Sequence, residues 1–216
     1  MKRTSFLGIL LTVLLAPAST WAASVTTNEV GMDAIFSQAS FGATTIDIRF
    51  NATVTVAGPL NIATAADFTA LYALGPPAAS PTVNMYFVDS ITGPCPVNGA
   101  WDGCALLSGN SMVIKSTVAA GGNGAELNAH ELGHNLGLVH SDPAVDLMQC
   151  CAYGSTTLTA AQVASILASP LVQTDVGGKF ISITPYLVTP VPIPAAVWLF
   201  GGALGMLGGL KRMASA

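Results

Sequence analysis

The stretch HELGHNLGLVH, residues 130–140, decides how this chain is read. On a helix, His130 and His134 stand one turn apart, so their imidazoles project from one face and can share a cation. Gly137 can take the positive φ that ends a helix and turns the chain sharply. Leu138 and Val139 then carry the backbone back, so that His140 supplies a third imidazole. Three neutral histidines leave the fourth position of a tetrahedral zinc ion for water, the open arrangement of a catalytic rather than a structural site. The chain holds three histidines and all of them lie in this stretch, which argues against incidental core or surface roles.

Glu131 directly follows the first ligand, so it sits beside the metal without coordinating it. Zinc lowers the pKa of bound water to about 7, and a carboxylate within reach can take the proton and pass it to a leaving amine. The chemistry expected is hydrolysis of a peptide bond, with Glu131 as general base.

On the N-terminal side, AAGGNG interrupts the chain, and Asn123 with Glu126 three residues on makes a capping-box pattern that predicts a helix over 124–136. SMVIKSTV, residues 111–118, reads as a strand leading to it. TVNMYFVDSI, residues 82–91, is rich enough in β-branched and aromatic side chains to be a buried strand. In ATAADFTALYALGPP, Thr64 and Asp67 are a cap pair and Phe68, Leu71, Tyr72 and Leu74 share a face, predicting a helix over 65–74 that Gly75 and two prolines stop. Residues 44–56, TTIDIRFNATVTV, alternate Ile46, Ile48 and Phe50 with Asp47, Arg49 and Asn51, the period of a half-buried strand. The state of 30–41 is not decided by its pattern. Beyond the motif, irregular chain runs to Thr157. LTAAQVASILAS then pairs Thr159 with Gln162 and Leu158 with Val163, predicting a last helix. Residues 171–190 read as a closing strand or loop.

The ends differ from the middle. Lys2 and Arg3, an apolar run over 6–15 and small residues near Ala22 and Ala23 predict a secretory signal peptide over 1–23. The run is too short for a bilayer and stops at Pro17. Residues 195–210 are uninterruptedly apolar and closed by Lys211 and Arg212, a membrane segment whose basic pair stays cytoplasmic. The intervening domain, 24–190, has Arg49, Lys115 and Lys179 against eleven acids, a formal charge of −8. Such a surface excludes nucleic acid as a partner. Four cysteines in an exported chain point to disulfides. Cys95 and Cys104 flank a turn-forming PVNGAWDG and are the favoured pair, with bridges from that loop to Cys150 and Cys151 left open.

HELGHNLGLVH resembles HExxHxxGxxH, the signature of the metzincin zinc metallopeptidases. The resemblance implies His130, His134 and His140 as ligands of one catalytic Zn2+, Glu131 as base and Gly137 as turn glycine. It also implies that Met148, in VDLMQCC, forms the tight turn beneath the metal. Some members carry a tyrosine ligand two residues after that methionine; here Cys150 occupies the position and Tyr153 is displaced. The implied fold is an α+β, zincin-like catalytic domain: a mixed twisted sheet with about three helices and an active-site cleft between upper and lower halves. The strand before the motif helix, 111–118 or the chain just ahead of it, would be the edge that pairs with an extended protein or peptide substrate. Calcium is admitted but not indicated. VPIPAAVWLFGGALGMLGGLKR, residues 191–212, resembles a PEP-CTERM sorting tail, which implies an exosortase-like partner and a destination in the cell envelope or extracellular matrix. Two rival functions use the same residues: a zinc-binding surface or matrix protein that does not cleave, and a zinc amidase acting on cell-wall peptides. Glu131 separates the first from an enzyme, because adhesion needs no carboxylate beside the metal.

Overall fold

The computed structural model describes residues 23–77, 80–95, 99–141, 146–150 and 153–191. The signal peptide and sorting tail expected at the two ends therefore lie almost wholly outside the described residues. Among the described residues no helix is long and apolar enough to cross a membrane.

The expectation of a mixed sheet flanked by helices is met, with five α-helices among the described residues where the sequence indicates about three. After α1 (Glu29–Phe36), the chain forms β1 (Ile46–Phe50) and β2 (Val54–Ala57). A short β3 (Asn61–Ile62) precedes α2 (Ala65–Tyr72). Thr64 caps α2, accepting from the Asp67 N–H while the Asp67 carboxylate accepts from the Thr64 N–H. The predicted helix at this place thus forms, ending two residues early. Next come β4 (Thr82–Val88), β5 (Ser90–Ile91), β6 (Gly103–Ala105) and β7 (Ser111–Lys115). The strand expected to run to 118 ends at Lys115, and Ser116–Ala119 coils as α3. Ser116 and Ala119 are both buried, a spacing of three that a short apolar run hides among strand patterns. The motif helix is α4 (Gly124–Asn135), followed by α5 (Ala160–Leu167), β8 (Gln173–Asp175) and β9 (Gly178–Thr189).

The main sheet runs β1-β9-β4-β7-β6, with β2 and β8 also paired to β9, while β3 and β5 form a separate pair. β9 is the least anticipated element. Far from a peripheral closing segment, it pairs in parallel with β1, β2 and β4 and antiparallel with β8. The predicted single strand over 44–56 is interrupted along it: Phe50 faces Ile183 and Val54 faces Tyr186, so four residues advance on one side against three on the other. That extra residue is a bulge-like break, and the Asn51 side chain there donates to Ser182 Oγ and Thr184 Oγ1.

Alternation along the strands divides the core between the sheet's faces. Val83, Met85, Phe87, Met112, Ile114, Ile181 and Ile183 point to one face, packed with α1, α4 and α5 residues such as Phe36, Leu132 and Ile166. Tyr86, Val88, Val113, Tyr186 and Val188 point to the other, against Phe68 and Leu71 of α2. β7 lies inside the sheet between β4 and β6, so SMVIK itself is no edge. The edge is β6, the short antiparallel strand just ahead of it.

Candidate metal centre

Helix α4 starts without the cap that its sequence promises. Asn123 makes no side-chain capping bond. Glu126 instead reaches across to accept from the backbone N–H of Gly154, at 2.8 Å, and of Ser155, at 3.0 Å. A carboxylate that can take two charge-assisted bonds from a distant loop has a better option than its own helix end. The C-terminus behaves as expected. Gly137 has φ 94°, Gly137 N–H donates to His134 O, and Leu138 N–H donates to Gly133 O. These two bonds form a Schellman motif, in which the positive-φ glycine reverses the chain.

That reversal brings His140 over α4. His134 Nε2 and His130 Nε2 lie 3.1 and 3.3 Å from His140 Nε2. A tetrahedral zinc with bonds of roughly 2.05 Å would separate its nitrogen ligands by roughly 3.3 Å, so the spacing fits that ion. The protonation pattern fits too. His130 Nδ1 lies 2.7 Å from Leu147 O and His134 Nδ1 2.8 Å from Leu138 O. A carbonyl only accepts, so both Nδ1 atoms carry the proton and both Nε2 atoms present lone pairs. Facing lone pairs repel unless a cation lies between them. Burial lowers the pKa of all three imidazoles, that of His134 to about 4, which keeps them neutral and competent to bind metal.

Glu131 sits on the same helix, 6 % exposed. Its Oε2 has no hydrogen-bond partner among the described residues. Burial pushes its pKa up to about 8; a divalent cation beside it would favour the ionised form. The carboxylate is held against the edge strand: a methyl group on Gly103 would stand 2.5 Å from Glu131 Oε1 and 2.6 Å from its Cγ. Gly103 therefore leaves room for the carboxylate, and no local pattern in the sequence identifies it.

Met148 is fully buried. A methyl on Gly133, between the two helical histidines, would meet its Sδ at 2.5 Å. The turn around it is organised by Asp146, which sequence reasoning passed over. One oxygen accepts from Met148 N–H at 2.9 Å and from Ser141 Oγ, and the other from Gln162 Nε2. The turn then delivers Leu147 O to His130.

The Cys95–Cys104 bridge forms, with Cα atoms 6.0 Å apart, which excludes the alternatives joining that loop to Cys150 and Cys151. Cys150 is itself disulfide-bonded. Tyr153 comes to the cleft despite its displaced position: its O–H donates to Asp102 Oδ2 at 3.0 Å, and Lys115 Nζ lies 3.4 Å from the other Asp102 oxygen. The three histidines, Glu131, β6 and Tyr153 all line one open cleft of about 750 Å³.

A sequence model of the gametolysin peptidase M11 family matches residues 30–153, more than half the chain. The chain belongs to the gametolysin peptidase M11 family. This is a family of zinc metallopeptidases, and the three converging imidazoles are a group that could hold a metal ion. The matched region contains the whole motif, Met148 and Tyr153, and it ends before α5 and β9. No curated protein and no solved structure matches the chain.

Proposed function

We propose that the chain is an exported zinc endopeptidase of metzincin type that hydrolyses peptide bonds in proteins or peptides. The observation that carries this reading is the convergence of three neutral Nε2 atoms, at 3.1 and 3.3 Å, beside a buried carboxylate with an unpartnered oxygen. His130, His134 and His140 would hold one zinc ion. Zinc in such a site supplies Lewis acidity, making water nucleophilic near neutral pH and polarising a carbonyl. Glu131 takes the proton of the attacking water and returns it to the departing amine. Leu147 O and Leu138 O hold two of the imidazoles in the tautomer that faces the metal. An extended substrate would add to β6, whose outward backbone groups lie along the cleft.

Glu131→Gln tests the base. The variant is expected to bind zinc as the parent does and to lose hydrolysis of a denatured protein by roughly 100-fold or more. Undiminished hydrolysis would sink the mechanism, whereas a parent protein that binds zinc but cleaves nothing would favour a non-cleaving matrix protein. Comparing protein substrates with muropeptides separates an endopeptidase from a cell-wall amidase. Export through residues 1–23 and sorting by an exosortase-like enzyme through residues 191–216 complete the proposal. Fractionation of producing cells tests them: protein retained in the cytoplasm would overturn both.

A further inference from the structure

The cleft extends well beyond the three histidines. It wraps round the β6 edge, from α4 on one face of the sheet to α2 on the other, because Gly103 abuts Glu131 while Cys104 belongs to the opposite core. At that far end lies a recess formed by Phe68 and Tyr72 of α2, Trp101 and the Cys95–Cys104 bridge. None of these is needed to hold a metal or move a proton.

Three features make the recess a prepared pocket. First, its floor is stiff: ring centroids of Phe68 and Tyr72 lie 6.0 Å apart, those of Tyr72 and Tyr86 5.9 Å, and Tyr86 stacks on Tyr186 at 4.7 Å. The aromatic ladder continues into the core, so the recess does not need to be ordered when it is filled. Second, it is tied to the substrate edge, since the Tyr72 O–H donates to Cys104 O at 3.4 Å and the bridge fixes Cys104 from the other side. Third, none of the described residues lining the cleft is Lys or Arg. An acidic side chain entering the recess would lose its hydration without gaining a cationic partner there.

We propose that this recess is a specificity subsite that takes one large apolar or aromatic side chain of the substrate and rejects acidic ones, selected by Phe68, Tyr72 and Trp101. The inference rests on the peptidase reading for the identity of its ligand, a peptide, but its test does not require cleavage.

The full chain carrying Glu131→Gln and loaded with zinc is titrated with acetylated hexapeptides in which one Phe scans each position of a Gly-Ala background. Trp101 emission, isolated as the difference from the same protein with Trp101→Phe, reports occupancy. One Phe position is expected to bind about tenfold or more tighter than the background peptide and to perturb that emission. Glu at the same position should bind no better than background. Ala65 is exposed at the recess mouth, so Ala65→Phe should fill it and remove the gain for Phe while background binding stays unchanged. Trp101→Ala lacks the reporter, so its binding is read by titration calorimetry, and it should weaken the gain from the opposite wall. If no position favours Phe, or if the preference survives both substitutions, the subsite is overturned. A Phe preference in a parent chain that hydrolyses nothing would sink the peptidase reading and leave the subsite standing.

Discussion

Two glycines pack against the proposed base and the methionine below the histidines, and they should fail differently when substituted. Gly103 faces the side chain of Glu131, which lines the open cleft, so a methyl there displaces the carboxylate toward the cleft rather than the backbone. Gly103→Ala is expected to leave zinc stoichiometry and the denaturation midpoint nearly unchanged while hydrolysis drops roughly 100-fold, the cost of misplacing a catalytic group by about 1 Å. Metal analysis alongside peptide cleavage checks it; retained activity would show that Glu131 does not work from its observed position. Gly133 faces the sulfur of the fully buried Met148, where nothing can swing into solvent. Gly133→Ala should therefore cost stability, about 1–3 kcal/mol for overpacking, read as a lower urea midpoint. An unshifted midpoint would mean that the methionine beneath the histidines is not tightly packed. At this scale the clustering of the three histidines and the turn glycine was legible because all four fall within eleven consecutive residues. Gly103 and Asp146 were not legible, since the partners that give them meaning, Glu131 and the Met148 turn, are distant in sequence or set by the turn's own folding.

At the scale of elements, two helix starts with similar sequence patterns behave in opposite ways. Thr159 and Gln162 form a reciprocal box, with Gln162 N–H donating to Thr159 Oγ1 and Thr159 N–H to Gln162 Oε1 at 2.8 Å. Asn123 and Glu126 form none, because Glu126 is committed to Gly154 and Ser155. Thr159→Ala is thus expected to cost about 1 kcal/mol, and Asn123→Ala no more than a few tenths. Equal losses in chemical denaturation of the two variants would contradict this assignment. The helices at α2 and α5 were readable because their caps are local, and α4 because its helical spacing is. Strand order was not: β9 has the same alternating character as an edge strand, and only pairing with β1, β2 and β4 makes it central. The turn of α3 was hidden because Ser116–Ala119 is too short for periodicity to speak.

For the whole molecule, the site depends on a strand far from it in sequence. The family match ends at residue 153, yet β9 (Gly178–Thr189) is the strand against which β1, β2, β4 and β8 are laid. β4 in turn carries β7, and β7 carries β6, the edge that abuts Glu131. Removing β9 leaves β1, β2 and β4 without their common partner and exposes Ile181 and Ile183 contacts on one face and Tyr186 and Val188 contacts on the other. Unpaired backbone groups and lost apolar burial on both faces together exceed the roughly 5–15 kcal/mol that holds a domain folded. A chain ending after Val176 should therefore neither unfold cooperatively nor bind zinc stoichiometrically, although every residue of the motif is present. A chain ending after Val191, lacking the apolar tail alone, should keep both properties and its hydrolytic activity. Circular dichroism melts with metal analysis distinguish the two; stoichiometric zinc and a cooperative melt in the shorter chain would show that the metal centre stands without the central strand.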